Sequence, residues 1–401
     1  MLRSLFSGIS GLRAHQTMLD VTGNNIANVN TAGYKAAQVQ FQDTLSQVLA
    51  NAGAAQPGIG GTNPAQVGLG VMVAGVTTNF QQGAAQLTNR QTDMMISGDG
   101  FFVVNKGGQQ LYSRAGAFSF DALGQLVTPD GGLVQGWAAD ASGAIDLNSP
   151  LTDLRLPVST LMGARATSTA SFEGNLPFDA AAGTVLNRQI DVYDGTGEPR
   201  SMEVAFTRTA TGWNIAATVT GTTSTQTGSV TFNTDGSINT LTFAAMPADA
   251  ATGLAAITVD FSTLSGFAGL ETVAANTQNG RSAGGLQSFA INSDGTLIGS
   301  FSNGLKQAIG RVALANFANP PGLSKAGSSL YEPTVNSGDA QVGAAGTGGR
   351  GVLSGGSLEM SNVDLSAEFT NLIVAQRGFQ ANSRVITTSD EVLQELVNLK
   401  R

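Results

Sequence analysis

Apolar residues near the end of the chain recur at alternating steps of four and three. This spacing is typical of an α-helix that lays one narrow face against other helices. Fully helical, a segment of about 36 residues would extend roughly 54 Å. The series therefore predicts a long C-terminal helix that packs either on its own domain or on helices of other chains. Its apolar members are Leu365, Phe369, Leu372, Phe379, Ile386, Leu393 and Val397, and its polar members are Gln376, Ser383 and Asp390.

Polar and charged residues at both ends of this segment suit the termini of a helix. Ser361, with Asp364 three residues later, has the pattern of a capping box. Lys400 and Arg401 place positive charge at the negative end of the helix dipole. We therefore expect residues 361–401 to form one helical segment.

The first residues of the chain show the same heptad spacing, which predicts a second helix within residues 1–30. Another face of this helix carries Ser4, Gly8 and Gly11, whose small side chains let a neighbouring backbone come close. Isolated glycines cost a helix about 1 kcal/mol each relative to alanine. The N-terminal helix is therefore expected to need partners, and the C-terminal helix is the first candidate. Its heptad series consists of Leu2, Leu5, Ile9, Leu12, Gln16, Leu19 and Ile26.

The long middle of the chain is predicted to be β structure. Short runs of apolar and β-branched residues alternate there with turn residues. Residues 31–70, which are rich in Gly, Pro, Asn and Ala from 53 onward, are predicted to be a linker or loop region. Composition changes near 150 and 280 indicate that residues 150–280 form a β domain inserted into another, which combines 71–148 with 283–357.

The predicted fold class is therefore α+β and mainly β. Two terminal heptad helices, residues 1–30 and 361–401, pair as in a coiled coil, and two nested all-β domains lie between them in the chain.

Composition limits the kinds of partner that this chain can bind. The net charge is -8, and only 12% of residues are charged, which is about half the usual share. An electrostatic grip on nucleic acid or on anionic lipid is therefore not expected. The chain has few charges and 52 glycines, a composition that suits a surface in contact with copies of itself. A secreted β-rich protein often has the same composition.

Several kinds of chemistry lack the residues that they need. The chain has no cysteine, which removes disulfides, thiolate metal sites and thiol nucleophiles. His15 is the only histidine, and no motif supplies the partners of a catalytic triad. Asp-Gly pairs are predicted as turns and not as calcium loops, because none shows alternating oxygen ligands. We therefore expect no enzyme activity, no metal and no cofactor.

Membrane insertion is not expected either. No apolar run approaches the ~18 residues of a membrane-spanning helix. Gly8, Ser10, Arg13 and His15 interrupt the apolar region that a Sec signal peptide requires. The chain is therefore expected to stay inside the cell or to leave by a route that does not cleave it.

Motifs at both ends of the chain carry a family resemblance. The run DVTGNNIANVNTAGYK at residues 20–35, together with SNVDL at 361–365 and QRGFQANS at 376–383, resembles the end signatures of bacterial flagellar rod, hook and hook–filament junction proteins. Gly378 is a departure, because a better helix former is expected there. The signature positions are Asn24, Asn25, Ala27, Asn28, Gly33, Gln376, Arg377, Gln380, Asn382 and Ser383.

Motifs of the inner chain resemble the hook members of this axial family in particular. They are ISGDGFFVV at 96–104, YSRAGAFS at 112–119, VQGW at 134–137 and GRVALANFANP at 310–320. The resemblance implies a structural subunit that self-assembles through its terminal helices into a flexible tubular coupling, with β domains outside. It also implies export through the flagellar type III apparatus and contacts with the distal rod protein, the hook–filament junction protein and the hook cap.

Two other functions remain open from the sequence. A distal rod protein shares both end signatures, but the resemblance implies that rod proteins lack an inserted domain such as 150–280. A secreted adhesin-like binding protein could contain the β-rich middle, but such a protein needs an anchor or a signal peptide and not two heptad helices.

Overall fold

Two long helices at the ends of the chain pack against each other, and the remaining structure is mainly β, as predicted. The computed structural model describes residues 2–54, 57, 60–156 and 161–398. Helix α1 spans Leu2–Ala27 and helix α2 spans Leu365–Asn398. The predicted interaction of Lys400 and Arg401 with the helix dipole lies outside the described residues.

The start of α2 differs from the predicted capping box. The helix begins at Leu365, and Asp364 Oδ1 accepts hydrogen bonds from the backbone nitrogens of Ser366 (2.8 Å) and Ala367 (3.3 Å). Asp364 is therefore the N-cap residue, and the cap predicted at Ser361 is wrong. The hydroxyl of Ser361 instead accepts from Val363 N within the extended segment before the helix.

Residues 37–50 and 65–78 form a long antiparallel ribbon, although a linker or loop region was predicted up to residue 70. Strand β1 (Ala37–Asp43) continues into β2 (Ser46–Ala50), and the chain returns as β3 (Ala65–Gly68) and β4 (Val71–Thr78). The register is continuous from the pair Phe41–Val73 to the pair Val48–Gln66. Strand pairing thus extends well into the region where glycines, prolines and asparagines favoured a loop.

The other strands follow the ribbon in chain order. They are β5 (Ala85–Leu87), β6 (Met94–Ser97), β7 (Phe101–Lys106), β8 (Gln109–Ser113), β9 (Ser119–Phe120), β10 (Leu126–Val127), β11 (Leu133–Ala138), β12 (Thr152–Asp153), β13 (Leu161–Met162), β14 (Thr169–Asn175), β15 (Val185–Tyr193), β16 (Pro199–Arg208), β17 (Trp213–Val219), β18 (Thr225–Phe232), β19 (Ile238–Phe243), β20 (Thr258–Ser265), β21 (Ala274–Gln278), β22 (Gly284–Ile291), β23 (Thr296–Phe301), β24 (Lys306–Asn316), β25 (Ser324–Gly327), β26 (Leu330–Glu332), β27 (Gln341–Ala344), β28 (Val352–Gly355) and β29 (Ser357–Glu359).

The chain divides into two compact units. Unit 1 comprises residues 1–157, 290–298 and 308–401, and unit 2 comprises residues 158–289 and 299–307. Unit 1 contains both helices, the ribbon and a sheet with the strand order β24-β11-β7-β8-β26-β25. Buried apolar residues pack on both sides of this sheet: Phe102, Phe118 and Leu314 belong to one cluster, and Phe101 and Tyr331 to another.

Unit 2 is all β. Strands β15 to β19 form a five-stranded antiparallel meander, and β14 pairs in parallel with β20 and antiparallel with β21. The strands β16 and β17 bury every second residue, which is the pattern of a sheet with one covered face. The covered faces meet in one apolar core that includes Phe172, Phe206 and Trp213. The nesting predicted for 150–280 remains a prediction.

Candidate assembly surface on the terminal helices

The two terminal helices run antiparallel along the whole length of α1. The hydroxyls of Ser4 and Ser389 lie 3.4 Å apart near one end of the pair. Near the other end, Asn25 Nδ2 donates to Glu368 Oε1 at 3.0 Å. These contacts show the register in which the two helices pair.

The inner face of α2 follows alternating steps of three and four, but not in the predicted register. Gln376 and Asp390 of the predicted seam are exposed, whereas Ala375 is buried and Asn382 half-buried. The predicted series and the observed inner face share Leu372, Phe379, Ile386 and Leu393, which are all half-buried. The residues at these steps are Leu372, Ala375, Phe379, Asn382, Ile386, Ser389 and Leu393.

Small and polar residues of α1, and not its leucines, make the closest contacts with α2. Gly8 and Gly11 are buried, and a Cβ on Gly8 would lie 3.3 Å from Ile386 Cγ1. Glycines allow this approach because they leave room for side chains of the facing helix. The residues of the predicted heptad series lie beside Gly8 and Gly11. Leu5, Ile9, Leu12, Leu19 and Ile26 are half-buried, and Gln16 is exposed. The side chain of Leu2 lies outside the described part of the chain.

The outer face of the helix pair exposes large apolar side chains. Among the predicted seam residues of α2, Leu365, Phe369 and Val397 are between 39% and 68% exposed, and Phe6 of α1 is 67% exposed. A concentration of exposed apolar residues is typical of a surface that meets another protein. The remaining exposed apolar residues of α2 are Ile373, Val374, Val385 and Val392.

The signature asparagines lie where α1 ends and α2 begins. The side chain of Asn25 is buried, and besides Glu368 it bonds both the N–H and the C=O of Ala37 and accepts from the Tyr34 hydroxyl. This one side chain therefore connects α1, α2 and the first strand of the ribbon. Such a buried amide, with donors and acceptors satisfied, favours one arrangement of the three elements.

Asn24 and Asn28 close the end of α1. Asn28 Nδ2 donates to the backbone oxygen and the side-chain oxygen of Asn24, and its own Oδ1 accepts from Thr31 Oγ1. Ala27 is the last residue of the helix and is exposed. These bonds stabilise the turn that carries the chain from α1 towards the ribbon.

Gly33 packs against the backbone of the β region. Its φ of 69° is left-handed, and a Cβ there would lie 2.5 Å from Ala115 N. Its N–H donates to Glu359 O at 2.7 Å. Both the conformation and the close approach require glycine at this position.

The signature residues of α2 do not form one cluster. Gln376, Arg377 and Gln380 are exposed, whereas Asn382 and Ser383 are half-buried. Asn382 lies on the face that meets α1, and the exposed three are available for contacts outside the chain.

A buried ion pair fastens the connection between the helices and the β region of unit 1. Lys35 Nζ lies 2.7 Å from Glu359 Oε1, and neither side chain is exposed. Lys35 also donates to Gln81 O, and Gly83 N donates to the same carboxylate oxygen of Glu359. Lys35 lies in the segment that follows α1, and Glu359 lies in the segment that precedes α2. The ion pair therefore joins the two segments that connect the helices to the β region.

Burial disfavours the charged forms of the basic side chains in this cluster. It lowers the pKa of Lys35, although the hydrogen bond and the charge of Glu359 oppose that shift. Burial likewise lowers the pKa of Arg114, whose Nη1 lies 3.9 Å from Glu359 Oε2. Since removing one partner leaves the other charge buried and alone, substitutions here are expected to cost about 3–5 kcal/mol.

Sequence reasoning assigned no role to Lys35, Arg114, Glu359 or Asn362. Asn362 accepts from Ala36 N and donates to the backbone oxygens of Asn79 and Gln81, so it fixes the segment before α2. The available signal was the family resemblance, since Lys35, Arg114 and Asn362 lie in the motifs at 20–35, 112–119 and 361–365. Nothing local in the sequence marks the pairing of Lys35 with Glu359.

Among residues 2–54, 57, 60–156 and 161–398, no group of three or more His, Cys, Asp and Glu side chains is placed to hold a metal ion. Neither of the two described helices is long and apolar enough to cross a membrane.

The terminal helices pair and expose an apolar face, and β units lie between them in the chain. This arrangement is typical of a structural subunit that associates with other proteins. Four family models match successive parts of the sequence. They describe a flagellar basal body rod protein (residues 5–35), the flagellar hook protein FlgE/F/G D1 domain (95–161), the flagellar basal body protein FlaE D2 domain (164–281) and the flagellar basal body rod FlgEFG protein C-terminal region (354–399).

Whole-chain relatives agree with these models. The chain is 39% identical over 446 residues to the flagellar hook protein FlgE of Borreliella burgdorferi, with 100% of both chains covered. It is 37% identical over 425 residues to the hook protein FlgE of Escherichia coli K12, with 98% of each covered. The basal-body rod protein FlgG of Bacillus subtilis is 35% identical over 402 residues, again with 100% coverage of both.

The chain therefore belongs to the flagellar hook FlgE/F/G family. Its role is that of a structural subunit of the flagellar hook. The crystal structure of Helicobacter pylori hook protein FlgE2 supports the fold: it covers 69% of this chain and 100% of its own, with a TM-score of 0.56 at 15% identity.

Proposed function

We propose that copies of this chain polymerise through the outer faces of α1 and α2 into the wall of a tube. The observation that carries this proposal is the exposed apolar face of the helix pair, which includes Phe6, Phe369 and Val397. Large apolar side chains left in water favour association, at about 25 cal/mol per Å² of apolar surface buried. The function is mechanical, and no chemical step enters it.

In this proposal the helices form the inner layer around the export channel. The β regions lie further out, and their sliding against neighbours lets the tube bend. The tube thereby acts as a universal joint that passes motor torque to the filament.

The same proposal sets the location and the partners of the chain. It reaches the outside of the cell through the flagellar type III export apparatus and joins the hook. The distal rod protein lies below it and the hook–filament junction protein above, with a hook cap during growth. Its N-terminal helix remains in the assembled protein, which the contact of Ser4 with Ser389 supports.

Electron microscopy of concentrated purified protein tests the proposal. Wild-type protein is expected to form tubes, more so in sulfate, which strengthens apolar burial. Phe369→Asp should abolish them, because a carboxylate desolvated in the wall costs several kcal/mol in every subunit. The unassembled variant should keep its far-ultraviolet circular dichroism.

Leu123→Asp is the matched control. Leu123 is 63% exposed and lies in the β region, so the same change of an apolar side chain is made away from the helices. Tubes are expected from this control. Normal tubes from Phe369→Asp, or their loss in both variants alike, would contradict assembly through the helical face.

A further inference from the structure

Two glycines, one on each terminal helix, face polar side chains of the other helix. A Cβ on Gly378 of α2 would lie 2.5 Å from Cε1 and Nε2 of His15 on α1. A Cβ on Gly11 of α1 would lie 2.6 Å from Oδ1 of Asn382 on α2. Each glycine therefore forms a notch that a polar side chain of the facing helix fills.

Both side chains are held in place. Asn382 Nδ2 donates to Gly378 O at 2.8 Å, so the residue that fills one notch also bonds the backbone of the other. The His15 ring centroid lies 5.8 Å from that of Phe41 on the ribbon, and its buried Nδ1 has no hydrogen-bond partner among the described residues. The two notches thus belong to one contact near the middle of the helix pair.

Local helix energetics alone disfavour Gly378. Alanine in place of an interior glycine raises a helical population about fivefold, which corresponds to about 1 kcal/mol. Gly378 is explained once the imidazole of His15 occupies the space where a Cβ would be.

We propose that the contacts His15–Gly378 and Asn382–Gly11 determine the register of α1 on α2. Leucine and isoleucine contacts are interchangeable, so the apolar flanks alone permit slippage. A slip of one heptad would place His15 against Asn371 or Val385, and neither residue offers a notch. A single polar contact within an apolar helix interface is known to fix register in this way.

The choice of register concerns a single chain. The register is therefore tested in dilute, unassembled full-length protein, where failure of the assembly proposal has no effect on the result.

The first experiment compares two glycine substitutions by amide hydrogen exchange of α1 and α2. Gly23→Ala is the control, since Gly23 is exposed and a Cβ there would have no atom within 4 Å. The control should raise helix protection about fivefold. Gly378→Ala has the same propensity gain, yet protection should fall below wild type and roughly tenfold below the control, because His15 is displaced.

The double variant His15→Ala/Gly378→Ala makes the result specific. Removing the imidazole relieves the clash, so protection should recover to at least the wild-type level. If Gly378→Ala does not fold, the double variant alone still tests the proposal, because it should fold with wild-type protection. Protection that rises in Gly378→Ala as in Gly23→Ala, or that the double variant does not restore, would overturn the proposal.

A disulfide reports the register directly, because the chain has no native cysteine. Ser4→Cys/Ser389→Cys replaces two hydroxyls 3.4 Å apart. Oxidation should give a disulfide within one chain, seen as a fast-migrating monomer on non-reducing gels. Adding Gly378→Ala should lower the yield severalfold, and His15→Ala should restore it. Equal yields in all backgrounds would refute a role in register.

Discussion

The core of unit 2 and the terminal helix pair achieve order in opposite ways. Phe172, Phe206 and Phe261 meet at ring centroid distances of 5.6 to 6.3 Å and are fully buried within unit 2. Between the helices, the α1 side instead consists largely of small and polar residues, while large apolar residues of the same helices face outward. Unit 2 is therefore complete as one chain, whereas the helices keep much of their apolar surface for neighbours.

This difference assigns different tasks to the two regions. Burying an aromatic side chain contributes about 1.5–3 kcal/mol, and aromatic pairs add about 0.5–1.5 kcal/mol. Long helices gain little stability without tertiary packing of their apolar face. A polymer subunit with this division can fold its β units before assembly and complete its helical layer only in the polymer.

Removing residues 158–289, which make up most of unit 2, is expected to have the largest effect. Deletion of residues 158–289, with a short linker in their place, should leave unit 1 folded, with one cooperative unfolding transition. A deletion of 150–280 should unfold at lower temperature, because it also removes Leu154, which is buried in a core cluster of unit 1. Calorimetry of both proteins checks this, and loss of the transition in the first would contradict the independence of unit 1.

A single aromatic truncation should destabilise unit 2 alone. Phe261→Ala removes a side chain with no exposed area that contacts Phe172, Phe206 and Phe243. The expected loss is about 3–5 kcal/mol in the unfolding free energy of unit 2. Near-ultraviolet circular dichroism during urea unfolding measures it, and the deletion protein that lacks unit 2 identifies the transition of unit 1.

Unit 2 also contains a carboxylate whose effect depends on pH. Asp194 Oδ1 accepts from Thr196 Oγ1 at 2.6 Å and from two backbone nitrogens, and Arg200 bonds Oδ2. The Thr196 hydrogen bond and these other donors lower the pKa of Asp194 from 3.8 to about 2. Because the folded pKa lies below the unfolded value, the stabilisation is present above about pH 4 and is lost as the pH falls towards 2.

Asp194→Asn should therefore destabilise unit 2 by about 1–3 kcal/mol at pH 7, since it removes hydrogen bonds to a charged group. The gap between variant and wild type should narrow between pH 4 and pH 2. Urea unfolding at several pH values measures this gap. A gap that is the same at pH 7 and pH 2.5 would show that the charge of Asp194 contributes nothing.

The sequence predicted the two helices and their pairing because heptad spacing is a local and repeated signal. It missed the register because the residues of closest contact are glycines and polar residues, which carry no apolar pattern. Gly378 was recognised only as a poor helix former, since its partner His15 lies at the other end of the chain. The ion pair of Lys35 and Glu359 was missed for the same reason: it joins residues far apart in sequence.

The matched counterpart of Phe261→Ala is Phe379→Ala on the inner face of α2, and it should have the smallest effect in the unassembled chain. Phe379 is half-buried, so its truncation should cost about 1 kcal/mol. Helical circular dichroism of dilute protein should change little, and the transitions of the β units should not move. In the polymer the same cavity recurs in every subunit, so the critical concentration for tube formation should rise severalfold. If Phe379→Ala instead destabilised the unassembled chain as strongly as Phe261→Ala, the helix pair would already be complete within one chain, and the contrast between the two regions would be wrong.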